Sequence, residues 1–192
     1  MGYLLAGLVV FLGVHSIRIF ADGWRARVIA ERGEKAYKAL FSLASLIGFA
    51  LIVWGFDVAR NAPVVLWIAP AGMRHATALL TLIAFIFLVA AYVPGNHLKA
   101  RFHHPMVLGV KSWALAHLLS NGTLAHVFLF GGFLAWAVVD FIASRRRDRI
   151  AATVYPAGRN AATVTTLLIG LVTWALFALW GHGLLIGIKP FG

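Results

Sequence analysis

The sequence contains no cysteine and only six acidic residues among its 192 residues. The absence of cysteine excludes disulfides, iron–sulfur clusters and covalent c-type haem attachment, because all three need thiols. Two acidic residues, Asp57 and Asp140, lie at the ends of apolar segments, so neither could relay protons through the middle of a membrane. The chain also has no internal repeat, which argues against a proton-coupled secondary transporter.

Apolar residues are abundant: they make up 61% of the sequence and give a mean hydropathy of +0.88. Soluble globular domains are usually about 45–50% apolar. The apolar residues form six continuous blocks, which are Tyr3–Phe20, Ala39–Phe56, Thr77–Val93, Val107–Leu119, Leu124–Ala143 and Ala162–Ile188. Most blocks match the ~20 residues that cross a bilayer as a helix. The sequence therefore predicts a single all-α domain, residues 1–192, built as a polytopic membrane bundle of six transmembrane helices.

The fourth block is the shortest, and its ends carry helix-boundary signals. Pro105 precedes it, and proline is favoured in the first helical turn because its missing N–H has no partner there. After it, Gly122 is predicted to adopt a left-handed cap conformation and Thr123 to cap the next helix. Blocks four and five are therefore predicted to form a tight helical hairpin.

The basic residues predict the orientation of the chain in the membrane. The first, third and fifth connections hold 14 of the 17 Lys and Arg residues, counting Lys111 just inside the fourth helix. The positive-inside rule places these connections in the cytoplasm and both termini on the outer side. The net charge of +11 is then a topology signal that also attracts anionic lipid, and it does not indicate nucleic-acid binding.

Histidine is the residue type that could carry metal chemistry, and the chain has eight. Four of them are predicted to be solvated or interfacial residues of the connections: His75, His97, His103 and His104. The other four lie within apolar blocks and are His15, His117, His126 and His182. An ionisable side chain in a transmembrane helix is a candidate for a functional site facing the bundle interior. Neutral imidazole suits axial ligation of haem iron, and interhelical hydrogen bonding is the alternative.

Five motifs resemble those of a known membrane family. They are "GVHSIRIF", "ERGEKAYKALFSLAS", "HHPMVLGVKSWALAHLLSNG", "TVYPAGRNA" and "WGHGLLIGIKPFG". With them the chain resembles the NnrU family, a bacterial membrane family associated with denitrification and nitric oxide metabolism. The resemblance implies a multi-pass protein of the bacterial inner membrane. The same domain is similar to plant 15-cis-zeta-carotene isomerase, a membrane enzyme that holds haem b between histidines.

The resemblance implies particular ligands for haem b. His15 in "HS" and His117 in "WALAH" match the ligand positions of the isomerase, and Ala114 stands where that enzyme has a cysteine used as an alternate ligand. Lys111 is expected to meet a haem propionate. His126 and His182 are reserve ligands, and His126 lies as far from the predicted turn as His117 does. Whether the chain catalyses a reaction stays open.

Two other functions fit parts of the sequence. "HHPMVLG" is similar to the "RHPxYxG" element of membrane methyltransferases that use S-adenosylmethionine, but His103 replaces the arginine and Val107 replaces the tyrosine. The chain could instead be a non-catalytic membrane assembly subunit, without a cofactor, whose histidines only pack. For the haem-binding protein that the resemblance implies, the expected partners are the lipid bilayer and haem. A second copy of the chain or denitrification membrane proteins are further possible partners.

Overall fold

The computed structural model describes residues 1–191, and over these residues the chain consists of helices joined by short connections. The helices are α1 (Gly2–Phe20), α2 (Asp22–Arg32), α3 (Glu34–Arg60), α4 (Met73–Tyr92), α5 (His97–Phe102), α6 (Pro105–Ser120), α7 (Leu124–Ile150), α8 (Asn160–Leu176) and α9 (His182–Ile186). A short π-helix, Phe177–Gly181, joins α8 to α9. The predicted all-α class is confirmed.

Five segments of the described chain are long and apolar enough to cross a membrane: Gly2–Phe20, Glu34–Arg60, Met73–Tyr92, Leu124–Ile150 and Asn160–Ile186. Three of them contain a whole predicted apolar block, while Met73–Tyr92 and Asn160–Ile186 contain all but the last residues of the blocks Thr77–Val93 and Ala162–Ile188. The remaining block forms α6, whose 16 residues span about 24 Å at 1.5 Å per residue, less than the ~30 Å hydrocarbon core. The sixth span and the outer location of the termini therefore stay predictions.

The chain forms two compact units. The first comprises residues 1–68 and 121–143, and the second comprises residues 69–120 and the chain from 144 onward. The boundary between them falls within α7, so the first part of that helix belongs to the first unit. The prediction that residues 1–192 form one domain is not tested by this division and stays a prediction.

In the first unit, α1 and α3 pack against each other in antiparallel orientation at glycine residues. A Cβ atom built at Gly55 would lie 2.2 Å from the main-chain nitrogen of Leu4, and one at Gly48 would lie 2.7 Å from that of Phe11. These pairs advance along α1 while they recede along α3, which makes the helices antiparallel. Small residues allow such close approach, and it is the usual source of helix association in lipid.

The segment that leads into α7 is held by the chain that follows α3. The main-chain N–H of Leu66 donates to Gly122 O at 2.7 Å, and that of Leu124 donates to Val64 O at 2.9 Å. Gly122 is needed here because a Cβ atom would lie 1.9 Å from Trp67 O. The predicted left-handed conformation of Gly122 is wrong, since its φ is not positive. Its role is close packing instead.

In the second unit, α6 and α8 both pack antiparallel to α4. Ser112 Oγ of α6 donates to Leu80 O at 2.9 Å, and Thr77 Oγ1 of α4 donates to Ala116 O at 3.2 Å. On α8, Trp174 Nε1 donates to Thr81 Oγ1 at 3.0 Å. The C-terminal ends of α6 and α8 therefore both lie near the start of α4. The packing on α4 therefore brings the ends of α6 and α8 close together, although these two helices are far apart in the sequence.

We expect Gly55→Ala to lower the thermal stability of the protein, because the added Cβ would overlap the main chain of α1 near Leu4. Overpacking of this kind typically costs about 1–3 kcal/mol. Gly13→Ala in α1 is the matched control, since nothing lies within 4 Å of a Cβ atom there. Thermal unfolding of purified protein in detergent, followed by circular dichroism, measures both variants. Equal midpoints would contradict the proposed contact.

Candidate functional site

Three of the four histidines within apolar blocks hold their rings by the same type of hydrogen bond, from Nδ1 to a main-chain carbonyl oxygen. The bonds join His15 to Phe11 at 2.7 Å, His117 to Trp113 at 2.9 Å and His182 to Ile188 at 2.7 Å. A carbonyl oxygen only accepts, so Nδ1 carries the proton and the lone pair lies on Nε2. Metal-ligating histidines commonly make this bond, which orients the ring and raises its basicity as a ligand.

His15 lies among aromatic rings of the first unit. Its ring centre is 4.2 Å from that of Phe11, 5.0 Å from that of Phe41 and 6.1 Å from that of Trp136. Trp136 Nε1 is buried and has no hydrogen-bond partner among the residues that the structure describes. The apolar groove beside Trp136 and Ser16 measures about 210 Å³ and is smaller than the usual 300–1,000 Å³ of a ligand site.

His126 also belongs to the first unit, but its ring is held differently. Its Nδ1 lies 2.6 Å from Thr123 Oγ1, and a hydroxyl can either donate or accept. The ring meets Phe56 edge-on at 5.1 Å and lies nearly parallel to Phe130 at 5.8 Å. The bond to Thr123 does not fix which ring nitrogen carries the proton, so His126 lacks the ligand orientation shared by the other three.

His117 and His182 lie side by side in the second unit. Their ring centres are 6.4 Å apart and their planes differ by 18°. Trp113 lies 5.5 Å from the ring of His117, and Phe177 meets the ring of His182 edge-on at 5.8 Å. Both histidines are half-buried and lie near the C-terminal ends of their helical segments. The antiparallel packing of α6 and α8 on α4 accounts for this meeting.

The glycines on either side of His182 make room for the chain itself. A Cβ atom at Gly181 would lie 2.9 Å from the ring of Phe177, and one at Gly183 would lie 3.1 Å from Lys189 Cγ. The sequence left open whether they admit a ligand or allow packing. In the structure they allow the π-helix and the residues after α9 to pack around His182.

The remaining predicted contact residue is Lys111. It is half-buried on α6, six residues before His117, and has interaction partners within the protein. Its predicted contact with a haem propionate stays a prediction. Among the described residues, no group of three or more histidine or acidic side chains is arranged to hold a metal ion.

A cluster of polar side chains that the sequence did not predict surrounds Asp148. His104 Nε2 lies 2.7 Å from Asp148 Oδ2, and Tyr155 donates its hydroxyl proton to the same oxygen at 3.1 Å. His103 stacks on Tyr155 with ring centres 4.0 Å apart, and the Arg145 guanidinium contacts its Nδ1. The two histidines are therefore bonded within the protein rather than solvated. One sequence signal could have indicated this cluster. The positive-inside pattern places the third connection, which holds His103 and His104, on the same side of the membrane as the fifth connection.

The surroundings shift the pKa values of two groups in this cluster. Burial, and then repulsion by the Arg145 guanidinium, hold the pKa of His103 below its usual range. Burial, followed by the hydrogen bond to Asp148, raises the pKa of the Tyr155 hydroxyl. Near neutral pH both rings are therefore uncharged, which suits their stacked arrangement.

The family model described as NnrU protein matches residues 3–190. No curated protein and no solved structure matches the chain.

We expect Arg145→Gln to raise the pKa of His103 toward the ordinary histidine value of about 6.5, because the positive charge that opposes protonation is removed. Between the two pKa values, His103 would then be more protonated in the variant than in the wild type. Titration of isotope-labelled histidine side chains by NMR measures the change. Arg146→Gln is the control, since it removes a neighbouring charge that does not contact the ring. An unchanged titration in Arg145→Gln would contradict the contact.

Proposed function

The chain belongs to the NnrU family, and we propose that it is a haem-b-binding, multi-pass protein of the bacterial inner membrane that acts in denitrification or nitric oxide metabolism. The family match extends over residues 3–190, so membership applies to nearly the whole chain. The long apolar helices support a location in a lipid bilayer. The pathway rests on the family association.

The observation that carries the haem proposal is the shared hydrogen bond of the intramembrane histidines. In His15, His117 and His182, the Nδ1 proton is donated to the main chain, so each ring presents the Nε2 lone pair. This donor set fits haem iron, which takes neutral imidazole as an axial ligand.

We assign His117 as one axial ligand. The resemblance to the isomerase implies His15 as the other, and that pairing stays a prediction because His15 and His117 belong to different units. His126 remains a reserve ligand, and Lys111 would supply a cation for a propionate. Bound haem would supply redox chemistry or the binding of a small ligand such as nitric oxide. The protein residues would orient the imidazoles and exclude bulk water.

We further propose six membrane spans with both termini on the outer side. Five helical segments meet the length and hydropathy needed to cross, and α6 would be the short sixth span. The 14 of 17 basic residues on the odd connections support this arrangement, because six spans place those connections on one face.

We expect the purified wild-type protein to show a Soret absorption band of bound haem b. His117→Ala should lose most of the six-coordinate low-spin signal, because it removes an axial ligand. His75→Ala is the control, since His75 is exposed at the start of α4. Absorption spectra of equal amounts of protein measure both effects. A wild-type protein without a Soret band would refute haem binding, and normal nitrite and nitric oxide handling in a deletion strain would refute the pathway.

Reporter fusions at the two termini test the topology. We expect a reporter that is active only outside the cytoplasm to be active at both ends, because an even number of spans returns the chain to its starting side. A fusion after Arg147, in the basic end of α7, should be inactive and serves as the control. Activity at one terminus and not at the other would mean an odd number of spans.

A further inference from the structure

The polar cluster around Asp148 joins parts of the second unit that are distant in the sequence. The Asp148 cluster consists of His103, His104, Arg145, Asp148 and Tyr155. The histidines belong to the connection between α5 and α6, the arginine and the aspartate to the last turns of α7, and the tyrosine to the chain that leads to α8. The cluster therefore holds the α5–α6 connection against the end of α7. None of its residues is a candidate haem ligand, so it is independent of the proposed cofactor site.

A single carboxylate oxygen makes the main attachment in the cluster. Asp148 Oδ2 accepts hydrogen bonds from His104 Nε2 at 2.7 Å and from the Tyr155 hydroxyl at 3.1 Å. The side chain of Asp148 is only 16% exposed. Hydrogen bonds to an ionised carboxylate are stronger than those between neutral groups. These two bonds therefore fasten both the α5–α6 connection and the chain after α7 to one helix end.

The main chain is strained on both sides of this attachment. Among the residues that the structure describes, His103 and Ala152 are the two non-glycine residues with positive φ, at 68° and 47°. The N–H of His104 donates to Phe102 O at 2.8 Å, so His103 is the centre of a γ-turn with positive φ, which is rare and strained. Such conformations persist only while surrounding contacts hold them. Weakening the cluster would therefore let both segments relax.

His103 makes contacts that depend on its being uncharged. Its ring stacks on Tyr155 with centres 4.0 Å apart and planes that differ by 10°. Its Nδ1 contacts the Arg145 guanidinium, and because arginine only donates hydrogen bonds, Nδ1 must carry the lone pair. A proton added to Nδ1 would remove this acceptor and place a second positive charge beside the guanidinium.

The other groups that face His103 do not reverse this preference. Asp148 Oδ2 lies 3.9 Å from Nδ1 and favours the protonated ring, whereas the neighbouring His104 disfavours it. Tyr155 stays uncharged near neutral pH because burial raises its pKa. Burial, and then the Arg145 charge, outweigh Asp148 and keep the pKa of His103 below the ordinary value of about 6.5.

The sign of the pH dependence follows from linkage. A His103 ring that has left the cluster is solvated, and its pKa returns to about 6.5. Protons therefore bind the open form more tightly than the closed form. The contribution of His103 to the stability of the cluster is complete above about pH 6.5 and decreases as the pH falls from there toward the lowered pKa.

We propose that the Asp148 cluster is a proton-sensitive latch, which frees the chain between α7 and α8 when His103 is protonated. Release also lets Ala152 leave its strained conformation. The far end of the freed chain stays attached, because the main-chain N–H of Arg159 donates to Gly95 O at 2.8 Å, and this bond does not titrate. The opening is therefore local. The proposed topology puts the latch in the cytoplasm, where acidification would open it.

A nitroxide spin label on the freed chain tests the latch. The sequence has no cysteine, so Val154→Cys gives a single labelling site, and Val154 is 87% exposed. We expect electron paramagnetic resonance spectra of the full-length protein in detergent to show a more mobile label as the pH falls from about 7.5 to about 5, with a midpoint below about 6.5. A label at Thr165→Cys, exposed on α8, is the control and should not respond. An equal response there would indicate general unfolding and overturn the latch.

Variants of His103 identify the group that titrates. In the Val154→Cys background, His103→Phe keeps an aromatic ring for stacking but cannot be protonated, so the label should stay immobilised at the lower pH. His75→Phe, at an exposed histidine, should respond as the wild type does. A label that ignores pH in the wild type, or one that still responds in His103→Phe, would overturn the proposal. If His103→Phe does not fold, or leaves the label mobile at every pH, His103→Gln replaces it, because its side-chain oxygen still accepts from Arg145 and does not titrate. A persistent response in that variant would also overturn the proposal.

Discussion

Within each unit the helices approach so closely at glycine residues that no side chain fits between their backbones. Gly48 and Gly55 set this distance between α1 and α3, while Gly109 and Gly170 do so for the helices on α4. Lipid tails are as apolar as leucine, so the hydrophobic effect does not drive helices together inside a bilayer. Close packing and a few hydrogen bonds, such as that of Trp174 to Thr81, must do it instead. The positions of the histidines follow from these contacts.

The same shortage of water explains how the polar side chains are satisfied. A polar group in the hydrocarbon region needs an internal partner, and main-chain carbonyls are the acceptors always present in a helix. Ser16, Ser45 and Thr166 donate to the carbonyl four residues back, as His15 and His117 do. For a hydroxyl, this bond only satisfies the donor. For an imidazole, it also decides which nitrogen can bind a metal.

Acidic residues are used sparingly and mostly near the helix ends. Asp22, Glu34 and Asp57 each pair with a basic residue three or four positions later in the same helix. Asp148 differs because it joins His104, just before α6, to Tyr155, in the chain after α7.

The sequence by itself determined the helices, because a long continuous apolar segment in a bilayer has few alternatives to a helix. Four of the six predicted blocks lie entirely within helical segments, and the other two, Thr77–Val93 and Ala162–Ile188, extend past the helix ends at Tyr92 and Ile186. The predicted boundaries at Pro105 and Leu124 are those of the structure. The candidate histidines were visible for the same reason, as rare ionisable residues in apolar surroundings. The family was also predicted from motifs, and the match to residues 3–190 confirms it.

Only the tertiary structure decided which of these residues meet. His117 and His182 are 65 positions apart, and their meeting depends on the antiparallel packing of α6 and α8 on α4 and on one π-turn. The letters FALWG are as apolar as their neighbours, so the sequence does not mark that turn. Asp148 likewise reaches His104 across 44 residues. Hydropathy records how well a segment is suited to lipid, but the rotation and pairing of helices depend on side-chain shape at each contact.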